Sequence, residues 1–194
     1  MALKQKLNEI LKINGIKPNK RLGQNFIFDF NILEKIVKSA LPINKSTVIE
    51  IGPGPGGLTR AILKYKPKEL ILIEIDKKFR PVLEEISNEF LEDNIKIIYK
   101  DFLKIDYKKL SSNKVKLFSN LPYYISTKIL LKILPLKEAT SEVIFTFQKE
   151  VGLRLLAQPH SKDYSRLSVI TQFSCHVKKM FILPANIFYP APKI

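Results

Sequence analysis

At 194 residues, with 45% apolar and 26% charged residues, the chain has the size and balance of one globular domain, which excludes a disordered or fibrous protein. Its 33 Lys and Arg outnumber 18 Asp and Glu, and a net charge of +15 makes a polyanion, nucleic acid or an anionic membrane surface, the expected partner. One cysteine, Cys175, excludes an internal disulfide; no His/Cys cluster has metal-ligand spacing and no apolar run is long enough to span a membrane, so the expectation is a cytoplasmic chain without metal.

In chain order, Leu3, Leu7, Ile10 and Leu11 repeat at helical spacing and predict an amphipathic helix over the first fifteen residues. Asp29 can cap a second helix whose apolar face is Ile32, Leu33, Ile36, Val37 and Ala40. Residues 1–45 thus read as a helical N-terminal segment ahead of a core at 46–194. In the core, β-rich runs at 47–51, 70–75, 95–100, 115–120 and 142–147 predict strands, with a sixth near 175–183. Helical spacing joins Phe79, Val82, Leu83, Ile86 and Phe90, and again Ile125, Ile129, Leu130, Ile133 and Leu134. This alternation predicts an α/β fold, a mainly parallel twisted sheet with helices on both faces. Pro184, Pro190 and Pro192 break the last stretch into a loop before Ile194, and the expectation is that a further element lies downstream.

Gly52-Pro53-Gly54-Pro55-Gly56-Gly57 follows the first apolar run and precedes a helical one, fitting G-x-G-x-x-G. Such a loop turns tightly and brings bare backbone against a nucleotide-like cofactor, which leaves NAD and S-adenosyl-L-methionine both open. Glu74, at the end of the next strand and about twenty residues on, is placed to accept from two ribose hydroxyls, and Asp76 to cap the helix that follows. Asp101, ending the third strand, can accept from an adenine amino group while Phe102 flanks the ring. Three hits at successive strand ends match the rule that ligands in such sheets bind beyond the strands' carboxyl ends.

The fourth strand runs into Asn120-Leu121-Pro122-Tyr123. An exocyclic adenine amine is a poor nucleophile because its lone pair is delocalised into the ring. It needs alignment and hydrogen-bond acceptors more than it needs a strong base. The Asn120 side-chain oxygen and the Leu121 carbonyl can each accept one N–H; Pro122 fixes φ and so holds that carbonyl, and Tyr123 can stack on a base turned out of RNA. An oxidoreductase reading leaves this tetrapeptide unexplained and offers no catalytic acid, since His160 and His176 are the only histidines.

The chain resembles the small-subunit (16S) ribosomal RNA adenine N6,N6-dimethyltransferases of the KsgA type. The resemblance rests on Arg21-Leu22-Gly23-Gln24-Asn25-Phe26-Ile27, residues 50–57, Glu74-Ile75-Asp76 and residues 120–126. It extends through Gln148-Lys149-Glu150-Val151, residues 161–169 and Phe188-Tyr189-Pro190-Ala191-Pro192-Lys193. It implies a Rossmann-like class I S-adenosyl-L-methionine methyltransferase whose cofactor contacts fall on Asn25, Ile27, Gly52, Glu74, Asp101 and Asn120. Chemistry alone would not have picked Asn25 or Ile27. It also implies a monomer that puts two methyls on each of two adjacent adenines, in a hairpin near the 3′ end of that rRNA in the 30S precursor particle. Family members continue into a last strand and a small helical domain, so the expectation is a shortened form lacking both. Arg21, Lys149, Arg154 and Arg166 are the candidates for rRNA phosphate contacts. Two alternatives remain beside this: a 23S rRNA adenine methylase of the macrolide-resistance type, and a non-catalytic assembly factor on the same fold.

Overall fold

The structure is a computed structural model, and it describes residues 9, 11–18, 23–134 and 139–191. Leu3, Leu7, Ile10, Arg21, Pro192 and the side chain of Tyr123 lie outside what is described; of the expected first helix, residues 9 and 11–13 are helical and Leu11 is buried.

The elements run β1 (Phe26–Ile27), α1 (Phe30–Lys38), β2 (Thr47–Ile51), α2 (Gly57–Leu63), β3 (Glu69–Glu74), α3 (Arg80–Glu89), β4 (Ile95–Tyr99), β5 (Val115–Ser119), α4 (Tyr123–Ile133), β6 (Thr140–Phe145), α5 (Lys149–Leu156), α6 (Arg166–Ser174) and β7 (Phe188–Tyr189). Strands β2 to β6 form one parallel sheet in the order β4-β3-β2-β5-β6. The chain builds outward from β2 to β4, then returns to lay β5 against the other side of β2. That reversal opens a crevice beyond the carboxyl ends of β2 and β5, where ligands bind in sheets of this kind.

The central strands are mostly apolar because both faces are covered. Val48, Leu70, Leu72 and Phe118 point into one cluster with Leu33 and Val37 of α1, Ile62 of α2 and Val82 and Ile86 of α3. Ile49, Ile51, Ile71, Ile73 and Leu117 point the other way, onto Ile129, Leu130 and Ile133 of α4 and Leu155 of α5. Asp29 caps α1 as its position predicts, accepting from the N–H groups of Asn31 at 2.9 Å and Ile32 at 3.4 Å.

The sixth strand expected near 175–183 does not form. Cys175 and Val177 pack on the second cluster, whereas Phe181 and Leu183 pack on the first. Lys35 of α1 stands over the Phe181 ring, 4.5 Å from its centroid. Four of the segment's apolar residues pack onto the two clusters as a strap, while Met180 and Ile182 stay exposed, so its apolar residues cover clusters already formed instead of building a strand face. The late strand lies further on: β7 pairs antiparallel with β1, Phe26 opposite Tyr189 and Ile27 opposite Phe188, and Phe28 stacks on Tyr189 at 5.6 Å. This two-stranded clasp, separate from the main sheet, holds residues 23–27 beside the crevice.

Candidate active site

The glycine loop leaves β2 with Gly52, Gly54 and Gly56 all at positive φ. At Gly54 (φ +54°) an added Cβ would lie 3.0 Å from the Phe26 ring, so the loop needs both the left-handed backbone and the missing side chain. Its N–H groups are already committed. Gly52 donates to the Ile73 carbonyl (2.9 Å), Gly54 to Glu74 Oε2 (3.0 Å) and Gly56 to the Pro53 carbonyl (3.0 Å), while Pro53 and Pro55 have no N–H. Five of the six loop residues therefore have nothing to donate to a phosphate. A dinucleotide's pyrophosphate would meet carboxylates here, not a row of donors.

Those carboxylates are placed by the strand ends. Glu74 is 4% exposed; Oε2 accepts from Gly54 and Oε1 from the Asp76 N–H at 2.8 Å. Burial pushes its carboxyl above the ordinary range, opposed by the backbone N–H groups of Asp76, Gly54 and Ile75. A carboxylate has about four acceptor sites, so acceptor capacity remains for a hydroxyl of a ligand diol. Asp76 caps the following turn through the Lys78 N–H (3.2 Å) and also accepts from Gln24 Nε2 at 3.1 Å. Asp101 accepts from the Leu103 N–H with Oδ1 (2.9 Å); its Oδ2 has no donor among the described residues and is open to an amino group. Phe102 is buried and stacks on Tyr107 at 5.8 Å.

Asn120 leaves β5 facing this crevice. Its Nδ2 donates to the Asn25 carbonyl at 3.2 Å, and its Oδ1 accepts from the Thr146 hydroxyl at 2.7 Å. A carbonyl oxygen can only accept, so the Asn25 contact fixes which way round the amide sits. Ser119, one residue earlier, ties β5 to β2 through its hydroxyl and the Ile51 carbonyl at 2.5 Å. Pro122's carbonyl accepts from Ile125 and Ser126 and starts α4.

Asn25, Ile27, Gly52, Glu74, Asp101, Asn120, Leu121 and Pro122 all line one cleft. Of Tyr123 only the backbone is described, at the first position of α4. Three contributors escaped the reading of the sequence. Gln24 lines the cleft and bonds Asp76. Glu50 lines it from β2, 1% exposed, and burial pushes its carboxyl up to about 8 against the Thr59 hydroxyl bond. Thr146 holds Asn120 from behind. Glu50 sits two residues before Gly52, a signal that was available; nothing in the sequence pairs residue 146 with residue 120. The acceptor set fits a ligand with two adjacent hydroxyls, an adenine-like amine and positive charge.

The fold is that of the class I S-adenosylmethionine-dependent methyltransferases. Within that class the chain belongs to the family described as ribosomal RNA adenine dimethylase, whose model matches residues 15–194. It is 42% identical to the ribosomal RNA small subunit methyltransferase A of Rhodospirillum rubrum, over 97% of this chain and 65% of that one. The protein of the same name from Clostridium botulinum is 41% identical, over 96% of this chain and 67% of that one. The chain thus spans about two thirds of the length of these curated relatives. Among solved structures, a dimethyladenosine transferase from Plasmodium falciparum superposes with TM-score 0.72 at 30% identity, covering 84% of this chain and 57% of that one. The 23S rRNA methyltransferase ErmE superposes with TM-score 0.67 at 25% identity, covering 88% and 66%.

Proposed function

We propose that this protein transfers methyl groups from S-adenosyl-L-methionine to the exocyclic amino groups of adenines in ribosomal RNA, two methyls per adenine. The proposed target is two adjacent adenines in the hairpin near the 3′ end of small-subunit rRNA, methylated while the 30S particle is being assembled in the cytoplasm. The observation that carries the reading is the placement of Asn120: its clamped amide faces the same cleft whose far wall is Glu74 and Asp101. One cleft therefore serves both reactants.

The cofactor supplies a methyl group on a positively charged sulfur. Glu74 takes the ribose hydroxyls, and Asp101 Oδ2 takes the adenine amine of the cofactor. Asn25 and Ile27 close the near side and Gly52 allows close approach. Asn120 Oδ1 and the Leu121 carbonyl each accept one N–H of the target amine, turning its lone pair toward the methyl carbon, and Tyr123 stacks on the target base. The N6 lone pair forms the new C–N bond, the C–S electrons stay with sulfur, and the alkylated nitrogen loses its proton to water. No metal is involved. Rate comes from alignment and from dipoles already in place.

The test is incubation with radiolabelled S-adenosyl-L-methionine and small subunits lacking the modification, followed by mapping of the labelled base. Dimethyladenine in the 3′ hairpin is expected. The likeness to ErmE favours a second reading, methylation of large-subunit rRNA; label there, or no label in either subunit, overturns the proposal.

A further inference from the structure

We infer that Thr146 is a positioning residue for methyl transfer, holding the Asn120 carbonyl so that its second lone pair points into the cleft. The inference rests on the reading of Asn120 given under Proposed function. Thr146 is the residue after β6, and its place is set by the ladder: Ser119 pairs with Phe145, and the Thr146 N–H continues the pairing by donating to the Ser119 carbonyl at 3.2 Å. Strand alternation then sends Phe145 and Phe147 to one side, where they contact each other at 6.1 Å within the second cluster. Thr146 is left pointing to the other side, half-buried. There its hydroxyl meets Asn120 Oδ1 at 2.7 Å.

The direction of that bond is fixed by its neighbour. Because Asn120 Nδ2 is donated to the Asn25 carbonyl, Oδ1 is the atom facing Thr146, and it can only accept. The Thr146 hydroxyl is therefore the donor. A side-chain amide held at one end alone can swing about its terminal torsion, a broad and soft one; held at both ends it cannot. An amide oxygen has two acceptor sites, and Thr146 fills one. The remaining one is aimed where the target N–H must lie. Thr146 does not line the cleft itself, so it acts only through Asn120.

The test compares Thr146→Val, which keeps the branched shape and removes the donor, with Thr146→Ser, which keeps the donor. In Thr146→Val, kcat for methyl transfer should fall about 5- to 10-fold, the worth of one hydrogen bond. Cofactor Kd by calorimetry and melting temperature should stay unchanged, and Thr146→Ser should restore kcat. A second measurement needs no activity: the Asn120 side-chain amide signal in ¹⁵N spectra, assigned by its loss in Asn120→Ala. It should be rigid in the wild type and in Thr146→Ser, and mobile in Thr146→Val. Equal amide rigidity in wild type and Thr146→Val overturns the inference, as does a kcat loss that Thr146→Ser does not restore. If the wild type methylates no adenine, the proposed function fails, while the amide spectra still decide whether Thr146 holds Asn120.

Discussion

Glu50 lines the cleft, 1% exposed, and among the described residues its side-chain donor is the Thr59 hydroxyl at 2.7 Å. One hydrogen bond contributes roughly 1–2 kcal/mol, whereas burying an ionised carboxylate costs several. Burial wins, and the nearby Glu74 adds to it, so the carboxyl is pushed up to about 8 and Glu50 is protonated at neutral pH. A carboxyl whose folded pKa lies above its unfolded value of 4.5 contributes stability that is complete below pH 4.5 and lost as pH rises through about 8. Melting temperature should therefore fall between pH 5.5 and 8.5, and Glu50→Gln should flatten that fall. Parallel curves for the two proteins would show that Glu50 is not the group responsible. At this scale the sequence was readable where a residue's role follows from its strand end: Glu74, Asp101 and Asn120 are such cases. It was unreadable where the role depends on a partner chosen by register, as for Thr146, or on the depth of burial, as for Glu50.

The glycine loop and the helix after it behave as one element, because α2 begins at Gly57 with Gly56 as its N-cap at φ +78°. A Cβ on Gly56 would stand 2.1 Å from Ile86 Cδ1, inside the cluster between α3 and the sheet. Backbone strain and overpacking together should make Gly56→Ala about 2–4 kcal/mol less stable in denaturant unfolding. Gly152, within α5, meets nothing within 4 Å, and Gly152→Ala should be slightly stabilising by about 0.5–1 kcal/mol. If the two substitutions unfold alike, the crowding at Gly56 is not what the loop's shape depends on. The central strands β2 and β3 were legible because two-sided burial leaves apolar runs, and the half-buried edge strands β4 and β6 because β-branched and aromatic residues recur in them. The stretch 175–183 carries a similar composition and misled, since composition does not say whether apolar residues cover a sheet or strap a helix. Phe181 under Lys35 of α1 is the second case.

At the scale of the whole molecule, acidic groups in the cleft and basic groups on two helices occupy different places. Glu74 and Asp101 line the cleft with acidic groups, while Lys149, Arg154 and Arg166 on α5 and α6 are exposed, within a chain of net charge +15. A positively charged cofactor suits the interior and an RNA backbone suits the exterior. Affinity for an rRNA hairpin should drop at least ~10-fold between about 50 and 200 mM salt, as counterion release requires when several phosphates are contacted. Reversing Lys149, Arg154 and Arg166 to Glu together should remove most of that slope in fluorescence anisotropy; an unchanged slope would place the RNA elsewhere on the surface. The charge surplus was plain in the sequence, and the exposure of Lys149, Arg154 and Arg166 on α5 and α6 was not. The clasp of β1 with β7 has a bearing on how the protein is made. The strand that supplies Asn120 and the strand that supplies Thr146 are both synthesised well before Phe188 and Tyr189, yet the Asn25 carbonyl that orients Asn120 belongs to a segment those two residues hold. A nascent chain can thus complete its sheet while the segment that orients Asn120 still waits for its clasp.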